Sequence, residues 1–131
     1  MATPPSKLPA RILRQTWTIR DDLQANRDVV FVYGDNVARE GHRGLARQMR
    51  GAPNAHPISI SWGPFDPFTH ATADAAMVQI LADLEALYTR APSLIVWPLS
   101  GIVPEFQTVP DKVLLFLREE TRKRFNLADP I

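Results

Sequence analysis

Four of the six glycines lie between Gly34 and Gly51, in a stretch that contains Tyr33-Gly-Asp-Asn-Val-Ala-Arg-Glu-Gly-His-Arg-Gly-Leu-Ala-Arg-Gln-Met-Arg50. Glycines ahead of a helix let backbone N–H groups approach a ligand closely, and the start of the helix adds partial positive charge. Together they suit an anion, most often phosphate. Gly34, Gly41 and Gly44 are the glycines in question. Arg39 and Arg43 can add forked, charge-assisted hydrogen bonds to phosphate oxygens. Asp35 and Asn36 have short polar side chains that suit ribose hydroxyls or the edge of a base. His42 lies inside the glycine-rich turn, where it can contact phosphate or act as a general acid or base with an ordinary pKa of about 6.5. The competing reading is a plain Gly34-Asp35-Asn36 turn followed by solvated arginines.

Other chemistry is sparser. Trp62, Phe65 and Phe68 sit in a proline-containing loop, where aromatic rings either stack on a base or plug the edge of a core. Asp66 in the same loop can accept from an exocyclic amine. Ser100 precedes Gly101 and Ile102 after an apolar run, but no G-x-S-x-G elbow surrounds it, which argues against a catalytic triad. Carboxylates near the expected mouth are Asp35, Asp66 and Glu105. The three histidines, His42, His56 and His70, lack metal-ligand spacing, and there is no cysteine. No metal site and no cofactor is therefore expected. Arg43, Arg47 and Arg50 share one helix face. With Arg39 they support a rival reading, a basic strip for a nucleic-acid backbone.

The elements that must position these residues follow from periodicity. A first strand is expected over 12–19 and a short helix over 19–25 with Thr18 as its cap. Val29-Val-Phe-Val-Tyr33 is β-branched and aromatic without alternation, the pattern of a strand buried on both faces. Gly34-Asp35-Asn36 closes it as a turn. Residues 44–50 suit a helix ending at Gly51, residues 57–61 alternate as a second strand, and residues 62–70 suit a loop. Ala73, Met77, Ile80, Leu81, Leu84, Leu87 and Tyr88 recur on one helical face, with Thr72 available as cap. An apolar strand over 93–97 ends at Pro98. The last helix begins near Thr108, spaced with Asp111 as in a capping box, and runs to about Arg124. Strand alternating with helix gives an α/β fold, a mostly parallel sheet flanked by helices. Ligands in such sheets bind beyond the carboxyl ends of the strands, so the loops after Tyr33, Ser61 and Trp97 are the ones to inspect.

Phe31-Val-Tyr-Gly-Asp-Asn36, Gly41-His-Arg-Gly-Leu-Ala46, Met49-Arg-Gly-Ala-Pro-Asn-Ala55 and Ile95-Val-Trp-Pro98 with Gly101 resemble a family of small, largely uncharacterised bacterial and phage proteins. The resemblance covers roughly residues 29–110. That family is similar, more distantly, to macro domains, which bind ADP-ribose. The resemblance implies a macro-like sheet in which Asn36 approaches the distal ribose. Gly41–Ala46 and Ser100-Gly-Ile-Val-Pro104 would then form two loops clasping a diphosphate. The residue reading and the resemblance together give as expected ligand contacts Gly34, Asp35, Asn36, Arg39, Gly41, His42, Arg43, Gly44, Trp62, Ser100, Gly101 and Ile102. The expected function is binding of an ADP-ribose-type nucleotide. The reaction to test is ADP-ribose removal, with Asn36 orienting the ribose and Asp35 or His42 handling the proton.

The bulk properties agree with one such domain. The chain has 131 residues, of which 45% are hydrophobic and 22% charged. These values suit an ordinary globular domain rather than disorder. The expected layout is a proline-containing N-terminal arm over 1–11 and one domain over 12–131. The formal net charge of +1 gives no global pull toward nucleic acid or membrane. No apolar run approaches the roughly 20 residues of a membrane span, and a cytoplasmic location is expected.

Overall fold

The computed structural model describes residues 11–41 and 44–131. Five strands, β1 (Arg11–Gln15), β2 (Val30–Asn36), β3 (Ala55–Gly63), β4 (Asp66–Pro67) and β5 (Leu94–Pro98), form one sheet in the order β1-β5-β2-β3-β4. All pairings are parallel except that of β4 with β3. The helices are α1 (Arg20–Ala25), α2 (Gly44–Met49), α3 (Ala73–Arg90) and α4 (Asp111–Phe125). This is the α/β arrangement expected, a single domain with a mostly parallel sheet between helices. The proline-containing arm and the pair His42 and Arg43 lie outside the described residues, save Arg11, which opens β1.

The unbroken apolar run of β2 reflects burial on both faces. Val30 and Val32 join Ile58, Ile95, Leu84 and Val113 in the core beneath α3 and α4. Phe31 and Tyr33 point the other way and pack with Leu23, Met49 and Val96 beneath α1 and α2. Alternate residues of a strand face opposite sides, so one sequence feeds two cores.

Several boundaries differ from the sequence expectation, each for a local reason. Gly34, Asp35 and Asn36 continue β2 instead of turning, because they pair with Ile58, Ser59 and Ser61 of β3. A shift of register between Asp35 and Asn36 bends the strand at that point. Thr18 is buried rather than capping; Ile19 stands at the cap of α1, and its N–H donates to the Asp22 carboxylate at 3.0 Å. Helix α4 starts after Pro110, so Thr108 lies outside its first turn. Thr72 does precede α3, but its hydroxyl accepts from the Trp62 indole N–H and the Thr69 N–H in place of capping the helix.

Among the described residues, strand β3 carries only the two-residue β4 on its outer side, so most of that edge has no described strand beside it. Side chains of α3 close it. The Asp83 carboxylate accepts the Ser59 N–H at 2.8 Å, and Arg90 donates to the Ala55 carbonyl at 3.3 Å. Pro57, between them, has no N–H to present.

Candidate functional site

Strands β2 and β5 are neighbours in the sheet although they are far apart in sequence. The chain leaves β2 toward β3 and leaves β5 toward α4, so the two exits diverge and open a crevice at their carboxyl ends. A cleft of about 410 Å³ occupies that place. Gly34, Asp35, Asn36, Gly41 and Gly44 line it from the end of β2 and the first loop leading into α2, and Ser100, Gly101 and Ile102 from the second loop. The two loops expected to act together do share one cleft.

Gly34 permits their approach. A Cβ at this position would stand 2.1 Å from the Ile102 carbonyl oxygen, so only glycine lets the β5–α4 loop cross the end of β2. Gly34 has ordinary backbone geometry, and its requirement is space alone. Gly44 is the opposite case, with φ +58 and nothing within 4 Å of a Cβ.

The first loop is held by two side-chain clamps. Asn36 folds back on Glu40: its Oδ1 accepts the Glu40 N–H at 3.1 Å, and its Nδ2 donates to the Glu40 carbonyl at 2.8 Å. The second clamp is an ion pair. Asp35, whose side chain is 1% exposed, receives Arg50 in bidentate fashion, Nε to Oδ2 at 3.0 Å and Nη2 to Oδ1 at 2.6 Å. The same guanidinium donates to the carbonyls of Gly41 at 2.6 Å and Glu40 at 3.0 Å. Arg50 therefore ties the buried tip of β2 to the glycine loop, using the planar fork that a lysine lacks. The Asp35 carboxylate also accepts the Asn36 N–H at 2.8 Å. Burial and the neighbouring Asp35 push the Tyr33 phenol up to about 12, so it stays protonated beside that carboxylate.

The second loop is built differently from the first. The Gly101 N–H donates to the Pro98 carbonyl at 3.0 Å and the Ile102 N–H to the Ile131 carbonyl at 2.7 Å. Those two amides already have acceptors within the protein. The loop is a wall of the cleft, and Ser100 and Gln107 are the polar residues it contributes to the lining. Arg14 fastens the surroundings, donating to the carbonyls of Pro98 at 2.9 Å and Pro130 at 2.7 Å.

Two of the expected contacts lie elsewhere. Arg39 turns to Asp83 at 3.5 Å and to the Asn36 carbonyl at 3.0 Å, away from the cleft lining. Trp62 packs edge-on against buried Phe68 with centroids 4.8 Å apart. With Arg39 and Arg50 both paired inside the fold, Arg47 is the exposed arginine among the described members of the basic strip. His42 and Arg43 lie outside the described residues. His56 is buried between Asp83 and Arg90; its Nε2 lies 2.8 Å from the Asp83 carbonyl and its Nδ1 3.3 Å from Arg90 Nη1. Burial, reinforced by the Arg90 charge, lowers its pKa.

The cleft also contains residues that sequence reasoning did not single out as contacts: Thr16, Trp17, Glu40, Phe106 and Gln107, with Arg50 in a new role. Phe106 carried one usable signal, a large aromatic among polar and proline residues where no periodic element needs it. Among the described residues, no group of three His, Asp or Glu side chains is arranged to hold a metal ion, and no helix is long and apolar enough to cross a membrane. No curated protein and no solved structure matches the chain. Residues 13–112, from β1 into the start of α4, match a family of unknown function, DUF7831, and the chain belongs to that family.

Proposed function

We propose that the cleft at the carboxyl ends of β2 and β5 binds an ADP-ribose-type nucleotide. The observation that carries this reading is the convergence of Gly34, Asp35, Asn36, Gly41 and Gly44 with Ser100, Gly101 and Ile102 on one cavity of about 410 Å³, a size suited to a small-molecule ligand. The first loop, with its glycines held in place by Arg50, is the side that would face phosphate and ribose. The second loop supplies shape, since the Gly101 and Ile102 amides are already bonded.

The proposal is for binding. Both Asp35 oxygens are engaged by Arg50, and Asn36 is engaged with Glu40, so these two side chains organise the loop instead of handling a proton. Titration calorimetry with ADP-ribose tests the reading. Saturable binding is expected in the parent, weakened at least ten-fold in Asn36→Ala, because removing the amide releases Glu40 and opens the loop. No heat with millimolar ADP-ribose, or equal affinity in the variant, overturns it.

A further inference from the structure

Among the described residues, three of the exposed large hydrophobic side chains are aromatic: Trp17 at 53%, Phe65 at 83% and Phe106 at 71%. They come from three separate loops, β1–α1, β3–β4 and β5–α4, yet all three line the same cleft. Folding buries aromatic surface wherever it can, so rings drawn from distant segments to one rim point to a ligand that covers them. A second hollow of about 360 Å³ adjoins the cleft and shares Pro64, Phe65, Phe106 and Gln107 with it. Its remaining walls include Asp66, an exposed carboxylate.

We infer that this second hollow is a nucleobase subsite in which Phe65 and Phe106 stack on a planar base and Asp66 accepts from its exocyclic amine. A base offers an apolar face to each ring and an N–H edge to the carboxylate, which is the combination of surfaces present there. A bare phosphate has no use for the rings, and the carboxylate repels it. The inference rests on the nucleotide reading of the inner cleft but concerns different side chains. It states which end of the ligand lies in the second hollow.

Calorimetry with adenosine 5′-monophosphate, inosine 5′-monophosphate and ribose 5-phosphate separates the contributions. The amino-bearing nucleotide is expected to bind about ten-fold more tightly than the inosine form, which lacks the exocyclic amine. Phe65→Ala and Phe106→Ala are each expected to weaken it about five- to one-hundred-fold, while ribose 5-phosphate binding stays as in the parent. Asp66→Asn should abolish the preference between the two nucleotides. The two phenylalanines are exposed, so folding should survive their removal, and a thermal melt checks this. Unchanged adenosine 5′-monophosphate affinity in Phe65→Ala/Phe106→Ala, or no binding of it by the parent, overturns the subsite. If ADP-ribose still binds in either case, the reading of the inner cleft stands. If ADP-ribose fails while adenosine 5′-monophosphate binds with the expected losses, the subsite stands and the ADP-ribose reading falls.

Discussion

Arg50→Ala probes the framework of the cleft, and its cost can be worked from the ion pair. Its partner Asp35 has a side chain 1% exposed, whereas the Arg50 side chain is 24% exposed. Truncating the arginine strands a carboxylate that water cannot reach. It also removes the donors to the Glu40 and Gly41 carbonyls. Breaking a buried pair from one side costs about 3–5 kcal/mol, and partial exposure of Arg50 places this case near about 3. Asp35→Asn is the milder change, about 1–2 kcal/mol, because the guanidinium left behind is partly solvated. The double variant Asp35→Asn/Arg50→Ala should lose less than the sum of the two, with a coupling of about 1–3 kcal/mol. Urea unfolding followed by circular dichroism measures all four proteins. With a slope of about 1–3 kcal/mol per molar urea, the single Arg50 variant should shift the midpoint by roughly 1–3 M. Arg50→Ala within 0.5 kcal/mol of the parent would refute the reasoning, as would simple additivity in the double variant, about 0 kcal/mol of coupling.

Three further outcomes are expected. Gly34→Ala sets a methyl 2.1 Å from the Ile102 carbonyl and should cost about 1–3 kcal/mol and displace the second loop; Gly44→Ala meets no atom, and its left-handed backbone should cost only about 1–2 kcal/mol, the two being compared by thermal melts and ligand titration. His56 is held neutral by burial, so the unfolded chain binds the extra proton; stability should be intact above pH ~6.5 and fall as pH drops toward the lowered folded pKa. Denaturant midpoints between pH 7 and 5 should show this slope, and His56→Gln should flatten it. The Tyr33 phenol titrates at about 12 when folded, above its ordinary value, so its share of stability should be present below pH ~10 and decline above that value. Absorbance at ~295 nm should show a transition at about pH 12 in the folded protein that Tyr33→Phe removes, and loss of a transition at pH ~10 in that variant instead would contradict the burial argument.

The parts of this molecule that were legible in the sequence are those set by local periodicity. The run Val29–Tyr33 announced a strand buried on both faces, and the seven apolar positions between Ala73 and Tyr88 announced α3. Residues settled by distant partners were harder to read. Asp35 and Asn36 look like turn formers by type, and nothing nearby in the chain shows that Arg50, fifteen positions later, will neutralise a carboxylate inside the sheet. The amides of the second loop resembled phosphate donors until Ile131 and Pro98 were seen to accept from them. Trp17 and Phe106 reach the cleft only because β1 and β5 lie side by side, a pairing between segments some eighty residues apart. Strand β4, with two residues, is too short for any pattern to register.

The central claim, that two separated loops form one nucleotide cleft, is tested most directly by following backbone amide resonances of the labelled protein during titration with ADP-ribose. The account predicts saturable shifts at Gly34, Asn36, Gly41 and Gly44 together with Ser100, Gly101 and Ile102, all fitting one dissociation constant. Shifts at only one of the two loops, at the Arg47 face of α2 alone, or at none of these amides would contradict it.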